Sequence, residues 1–295
     1  MTGIVDAHTH IWNRESGEYG WITPDLAALD DDYGLDDVSV EAASVGVDRF
    51  ILVQAADTAG DTDRMLAEAA NHPEVAGVVA WFPLAGPGLS EALEERLATG
   101  KVVGVRALIH NMADTRWVLR SDVAAGLDRL AEAGLAFDFV TSGPAALELV
   151  PTLAARHPSL RIVIDHLGKP PVKRDAAALA RWRSLLKSAA ASPNVAAKLS
   201  GLASAVGAPD SWTEADVRPV VAAAVEAFGP ERLMYGGDWP VCLIAGGYTR
   251  AFEGLHAVLD VSQPELARIH SGTAAEWYRL EIDGLGRALQ EMKQV

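Results

Sequence analysis

The fold is decided by residues 49–83, which read RFILVQAADTAGDTDRMLAEAANHPEVAGVVAWFP. Two apolar runs, 49–55 and 75–83, are typical of strands in a parallel sheet, where both faces are buried. The stretch between them, 61–75, carries apolar residues at helical spacing. A strand, a helix and a second strand in this order form the unit from which parallel sheets are built.

The same alternation extends in both directions from this unit. We predict strands at residues 3–9, 49–55, 75–83, 102–109, 136–142, 161–167, 194–200 and 232–239. Amphipathic helices are predicted within residues 36–47, 61–75, 90–101, 121–135, 144–158, 175–193, 213–230 and 249–259. This count indicates an α/β fold, a (β/α)8 TIM barrel, and no Gly-x-Gly-x-x-Gly follows the first strand to favour a dinucleotide-binding sheet. We expect a single domain over residues 1–295, ending in a C-terminal helical extension over 260–295.

Composition argues against several classes of partner. The formal net charge is −15 at pH 7, which disfavours nucleic acid and an anionic membrane surface. The single cysteine, Cys242, cannot form an intramolecular disulfide. No apolar run approaches the ~20 residues that span a bilayer, and no basic-then-apolar N-terminal segment suggests secretion. These features favour a cytoplasmic protein, and a homo-oligomer is compatible with them.

Polar residues follow the apolar runs at the points where strands are expected to end. In GIVDAHTHIW, residues 3–12, His8 and His10 are two positions apart and so share one face of a strand. The other strand ends carry Gln54, Trp81, Arg106, His166, Lys198, Asp238 and Trp239. In a barrel these ends meet on the C-terminal face, where active sites lie. Burying so many polar groups is costly unless they serve a site, so their convergence indicates one.

Taken singly, these residues also have structural interpretations. Asp238 alone can cap the following turn, and Arg106 can pair with a structural carboxylate. Asp6 and Asp165, next to the histidine-bearing positions, are expected to act mainly in structure, although a contact supporting the site is open to Asp6. His110 fits either a surface or a site position.

Two kinds of chemistry are compatible with this set. Three imidazoles and a carboxylate can bind one divalent cation, zinc above all, and here they would be His8, His10, His166 and Asp238. In a metal-free site Asp238 would instead act as the general base toward a water, with the oxyanion stabilised by His166, Arg106 and Lys198. Either arrangement describes hydrolysis of an acyl or similar electrophile. Without a Gly-x-Ser-x-Gly motif, no covalent acyl-enzyme is expected.

At these residues the chain resembles the amidohydrolase superfamily, and within it the lactonase branch of L-fuconolactonase, L-rhamnonolactonase and the hydrolases of pyrone dicarboxylate and sulfomuconolactone. The resemblance is carried by DAHTHIW, IVIDHLGKPPV, NVAAKLSGL and ERLMYGGDWPVCL, in order along the chain. It implies an amidohydrolase-type barrel that cleaves a ring ester with water activated by Asp238. Binuclear members of the superfamily carry a lysine or glutamate on the fourth strand and a histidine on the fifth. Arg106 and the histidine-free stretch AFDFVTS stand there instead, so we expect one metal ion at most.

Aromatic residues near the strand ends bear on the substrate. Residues 12–35 form a long first loop that is placed to close over a ligand. We expect a neutral sugar lactone, such as L-fucono- or L-rhamnonolactone, to contact Gln54, Trp12, Trp21, Trp81 and Trp239. The tryptophans are also compatible with core packing. The alternatives are a metal-dependent decarboxylase of the same superfamily and a barrel that binds sugar acids without turnover.

Overall fold

The computed structural model describes residues 3–112, 114–141, 143–173 and 175–281. Parallel strands pair in sequence order, from β1 to β8, in one sheet. Their bounds are β1 Ile4–Thr9, β2 Val47–Val53, β3 Val75–Ala80, β4 Val102–Ala107, β5 Ala136–Phe139, β6 Arg161–Ile164, β7 Val195–Leu199 and β8 Leu233–Tyr235. The sheet closes where Thr9 bridges to Trp239, just after β8. The backbone N–H of His10 donates to the Trp239 carbonyl across this closure, at 2.7 Å.

Helices alternate with the strands along the chain. Those between consecutive strands are α1 Asp36–Ser44, α2 Ala59–Asn71, α3 Leu89–Leu97, α4 Ser121–Glu132, α5 Val150–Arg156, α6 Ala176–Ala190 and α7 Glu214–Phe228. Then α8, Tyr248–His256, follows β8, and α9, Gln263–Ala267, and α10, Thr273–Trp277, come after it. The predicted (β/α)8 barrel is therefore confirmed. The predicted C-terminal extension is helical over much of 263–277, and residues 282–295 lie outside the described part of the chain.

The core has two apolar layers. One lies between the sheet and the surrounding helices. The other is a smaller cluster that includes Val5, Ile51, Val53, Val79, Val163, Ala196 and Met234. Trp277 and Tyr278, at the end of α10, pack against this smaller cluster. The segment after α8 is thus part of the core, and its burial contributes to stability.

Several strands end earlier than the sequence predicts, at the points where polar residues begin. β6 ends at Ile164, and β8 ends at Tyr235. Beyond these ends the backbone turns left-handed, with φ of 51° at His166 and 57° at Asp238. Residues other than glycine rarely adopt this region, and those that do are enriched at functional sites. Leaving the strand conformation lets these side chains point across the barrel mouth.

The long first loop folds against the barrel. Buried Trp12, Tyr19 and Leu29 form a small apolar cluster with Ala55 and Ala56, which follow β2. The Tyr19 hydroxyl donates to Asp61 Oδ1 at 2.6 Å, and the Trp21 indole N–H donates to the Ala55 carbonyl at 2.9 Å. These bonds fix the loop over the ends of β1 and β2.

Among the residues that the structure describes, no helix is long and apolar enough to span a membrane.

Candidate active site

His8 and His10 lie where β1 ends, and their rings meet at the centre of the barrel mouth. The register between β1 and β2 shifts between Asp6 and Thr9, an irregularity of the kind that re-aims side chains beside active sites. His10 Nδ1 lies 2.6 Å from the Val53 carbonyl, which can only accept, so this nitrogen carries the proton. His10 Nε2 therefore presents a lone pair, 3.2 Å from His8 Nε2.

Asp238 lies opposite these rings, in the turn after β8. Its backbone N–H donates to the His8 carbonyl at 2.8 Å, which fixes the turn against β1. Asp238 Oδ1 is 3.8 Å from both His8 Nε2 and His10 Nε2, and 4.0 Å from His166 Nε2. Burial raises the pKa of Asp238 to about 7, only partly offset by the positive charge of Arg106. A carboxyl group with this pKa can take up or release a proton near neutral pH.

His166 completes the ring of imidazoles from the turn after β6. Its Nδ1 lies 2.9 Å from Ser200 Oγ, just after β7, so the hydroxyl orients the ring. Burial lowers the pKa of His166 to about 3, which keeps the ring neutral at physiological pH. A neutral imidazole can bind a metal ion or form a hydrogen bond with substrate.

Gly201 has no side chain, and His166 and Asp238 occupy the space that a side chain would fill. Its φ is +62°, and a Cβ there would lie 2.6 Å from His166 Nδ1 and 2.8 Å from Asp238 Oδ2. We expect Gly201→Ala to lower kcat at least tenfold, because both side chains must move. Gly100→Ala is the matched control, since Gly100 has φ +68° and no atom of the described residues lies within 4 Å of its Cβ position. Equal activity of the two variants in a steady-state assay would contradict this expectation.

The geometry and chemistry of these residues fit one divalent cation. His8, His166 and Asp238 each offer a ligand atom, and these atoms lie within 4.8 Å of one another. His10 Nε2 faces the same space, 3.8 Å from Asp238 Oδ1. The opposite nitrogen of each ring has a polar neighbour: the Val53 carbonyl for His10, Ser200 for His166, and both Lys198 Nζ, at 3.2 Å, and Asp165 Oδ1, at 3.3 Å, for His8. Metal-binding histidines are usually oriented in this way.

A layer of buried charges lies beneath the histidines. Arg106 Nη1 donates to Asp165 Oδ2 at 2.9 Å, and Arg106 Nη2 donates to the backbone carbonyl of Gln54. Lys198 Nζ donates to Asp138 Oδ2 at 2.5 Å and lies 3.2 Å from Asp165 Oδ1. Burial would raise the pKa of Asp165, but the positive charges of Lys198 and Arg106, together with the adjacent His8 ring, hold it well below its usual value. This charge layer (Arg106, Asp138, Asp165 and Lys198) fixes His8 from below.

Asp6 joins the first strand to the turn that carries Asp238. Its Oδ1 accepts from the backbone N–H of His8 at 2.9 Å and of Gly237 at 2.8 Å. Its Oδ2 accepts from the Tyr248 hydroxyl at 2.7 Å. These bonds hold two strands of the site together without any contact between Asp6 and the cavity.

A cavity of about 610 Å³ opens above Asp238. Of the predicted catalytic and metal-binding residues, His10, Arg106, His166 and Asp238 line it. His8 and Lys198 do not line it, since both are fully buried. Lys198 is therefore placed to hold the charge layer rather than to touch a substrate. The volume suits a ligand the size of a monosaccharide with accompanying water.

Two cavity residues were not singled out as site residues by the sequence. Lys169 follows His166 by three positions and has φ 55°. Its burial lowers its pKa, and within the described part of the chain no carboxylate lies within ion-pair distance of its ammonium. His110, after β4, also lines the cavity, and burial lowers its pKa to about 4, with a further contribution from the Lys169 charge. Lys169 could have been found from the sequence, because it lies in DHLGKP, the same stretch that contains His166.

The predicted substrate-binding residues separate into two groups. Trp21 lines the cavity from the first loop. Trp12 and Trp239 are 2% and 4% exposed, and each packs edge-to-face on Tyr33, so they support the mouth from outside the cavity. Gln54 is fully buried beside Arg106, and Trp81 is not among the lining residues.

Known proteins are similar to this chain over nearly its whole length, in sequence and in structure. A family model described as amidohydrolase matches residues 5–280. A protein named L-fucono-1,5-lactonase, from Burkholderia multivorans, is 34% identical over 285 residues, which cover 94% of this chain and 96% of that protein. Two crystal structures of an amidohydrolase from Burkholderia multivorans match with TM-scores of 0.88 and 0.87, one with bound HEPES and the other with bound zinc. They are 33% and 32% identical, over 95% of this chain and all of theirs.

Proposed function

The chain belongs to the amidohydrolase family, and from this premise we propose that it hydrolyses the ester bond of a sugar lactone with a water activated by Asp238. The observation that carries the proposal is the environment of Asp238: a buried carboxyl group with its pKa near 7, facing a cavity, with three neutral imidazoles around it. Similarity to the L-fucono-1,5-lactonase supports a six-carbon aldonolactone as the substrate.

The reaction needs one proton acceptor that later becomes a donor. Ionised Asp238 removes a proton from water as the water oxygen attacks the lactone carbonyl carbon. The tetrahedral intermediate then collapses, the ring C–O bond breaks, and Asp238 returns its proton to the leaving alkoxide. Each turnover thus leaves Asp238 as it began and yields a hydroxy acid.

Positive charge at the cavity wall stabilises the developing oxyanion. Arg106 and Lys169 both line the cavity, and charge placed in advance costs no reorganisation during the reaction. Trp21 offers an apolar surface for one face of the sugar ring.

A single divalent cation would be held by His8, His10, His166 and Asp238, and the zinc in a similar amidohydrolase supports zinc as this ion. When bound, it would polarise the carbonyl and favour ionised Asp238. The role of the protein residues is the same with or without it: they position the water, accept its proton and exclude bulk solvent.

The decisive experiment measures proton release from a panel of aldonolactones. The panel comprises L-fucono-1,5-lactone, an L-rhamnonolactone and a pyrone dicarboxylate, assayed before chelation, after chelation and after zinc is returned. We expect hydrolysis of a sugar lactone well above its spontaneous rate, with the anionic pyrone the poorer substrate. No acceleration with any lactone under any of these metal conditions would overturn the proposal.

Replacing Lys169 tests its predicted contact with the substrate. A hydrogen bond from a charged group contributes about 1.5–3 kcal/mol. We therefore expect Lys169→Met to lower kcat/KM by about 10- to 100-fold. Lys173→Met is the matched control, because Lys173 is exposed and bonds to the Ser211 carbonyl outside the cavity. An unchanged kcat/KM in Lys169→Met would remove Lys169 from the site.

A further inference from the structure

A second pair of histidines lies outside the candidate active site. His256 is the last residue of α8, and His270 lies in the π-helical turn Arg268–Gly272 between α9 and α10. Their Nε2 atoms are 2.7 Å apart, and the ring centroids are 4.9 Å apart. Neither residue lines the cavity that holds Asp238.

The orientation of His256 is fixed by its own helix. Its Nδ1 lies 2.7 Å from the Phe252 carbonyl, which can only accept a hydrogen bond, so Nδ1 carries the proton. In the neutral ring, Nε2 therefore presents its lone pair to His270. Phe252 also stacks on the His256 ring, with centroids 3.7 Å apart, and this contact limits rotation of the imidazole.

The position of His270 depends on an irregular backbone. A π-helical turn is rare and is found frequently at functional sites. Here it lies in a short segment between two α-helices and carries His270 to within bonding distance of His256. Both rings are half-buried. Because His256 Nε2 presents its lone pair, the 2.7 Å contact places the proton of the neutral His270 ring on Nε2. Binding of a cation requires this proton to shift to Nδ1 of the same ring, which neutral imidazole allows.

We propose that His256 and His270 form a second divalent-metal site that links α8 to the helical segment following it in the chain. Two imidazole nitrogens bound to one zinc ion at about 2.0–2.1 Å would lie about 2.9–3.4 Å apart, so the pair needs to open by less than about 1 Å. Water completes the coordination, since no third protein ligand joins the pair among the described residues. The C-terminal end of α8, where carbonyl groups are unpaired, favours a positive charge.

The ligand class is a borderline or soft divalent cation. Imidazole suits zinc, copper and nickel, whereas magnesium and calcium prefer oxygen. The two histidines are 14 residues apart in the sequence and belong to different helical elements. A bound ion would therefore act as a cross-link between them, and it would stabilise the packing of α8 on the segment that follows.

Zinc stoichiometry tests this site independently of lactone hydrolysis. The protein is stripped of metal with a chelator and titrated with Zn²⁺ by isothermal titration calorimetry, in the wild type, His256→Asn, His270→Asn and the control His72→Asn. His72 has carboxylate neighbours, and no second histidine is in contact with it in the described part of the chain. We expect each pair variant to bind one equivalent less than the wild type, and His72→Asn to bind the same number. Zinc should also raise the Tm of the wild type more than that of either pair variant.

Two results would overturn the proposal. If the wild type and both pair variants bind equal numbers of zinc ions, the pair is only a hydrogen bond between two rings. If His72→Asn loses an equivalent as well, the lost ion does not report on the pair. Should His270→Asn fold poorly by circular dichroism, His256→Asn decides the matter, because its side chain ends a helix and is partly exposed.

Discussion

Asp238→Asn is expected to lower kcat for lactone hydrolysis by about 10³-fold or more, at the upper part of the range for general acid–base catalysis. Asparagine keeps the shape of the side chain but accepts no proton from water. Burial lowers the pKa of His8, His10 and His166, so these rings are weak bases and do not replace the lost carboxylate. Rates are measured under saturating substrate, and the KM should change far less than kcat. A variant as active as the wild type would show that another group is the base.

The same variant should be more stable than the wild type at alkaline pH. The pKa of Asp238 is about 7 in the folded protein, against 3.8 for an aspartate exposed to water in the unfolded chain. Between pH 3.8 and pH 7 the folded state therefore binds more protons than the unfolded state. Stability from this group therefore falls as pH rises through that interval, by roughly 4 kcal/mol at about 1.4 kcal/mol per pKa unit. Asn does not ionise, so its gain in Tm over the wild type should be larger at pH 8 than at pH 5. Metal-free protein is required for this comparison, since a bound cation would stabilise ionised Asp238.

Lys198→Met is expected to lower the free energy of unfolding by about 3–5 kcal/mol, the usual cost of removing one partner from a buried ion pair. Lys198 is fully buried and contacts the carboxylates of Asp138 and Asp165, which would be left without this cation. The Tyr278 hydroxyl donates to both oxygens of Asp138, at 2.8 and 2.9 Å, and does not neutralise its charge. Denaturant unfolding measures the loss.

A control variant and a double variant test whether the loss of stability comes from the buried ion pair. Lys187→Met is the matched control, because Lys187 is exposed on α6, and its stability should change little. Lys198→Met combined with Asp138→Asn should recover part of the loss, since the largest uncompensated charge is removed with its partner. If Lys198→Met alone is as stable as the control, the charge layer does not depend on Lys198.

The barrel and the positions of most site residues follow from local pattern. Alternating apolar runs and amphipathic stretches predicted the strand order, and the spacing of His8 and His10 predicted one shared direction. Local pattern could not predict which of these side chains line the cavity and which are buried beneath it. Lys198 was expected to reach the substrate, but its partner Asp138 is 60 residues away in the sequence, and only the assembled sheet brings them together.

Backbone irregularities account for the other differences. His166 and Asp238 were expected at the ends of long strands, whereas both lie in left-handed turns beyond shorter ones. Apolar patterning carries no signal for such a turn when the residue is not glycine. Trp12 and Trp239 were expected at the substrate, but pack with Tyr33 beside the mouth, because loop packing over 20 residues determines which tryptophan reaches the cavity.

The contacts of Asp6 have a consequence for the order of folding. Asp6 accepts a bond from Gly237, which is 231 residues later in the chain, and Asp238 bonds directly to His8. A partly synthesised chain that ends before β8 contains His8, His10 and His166 but lacks Asp238, the carboxylate of the site. Contacts of such long sequence separation form slowly, because the intervening chain must first be ordered. Recovery of catalytic turnover during refolding should therefore lag behind recovery of helical circular dichroism, and turnover becomes a direct reporter of barrel closure.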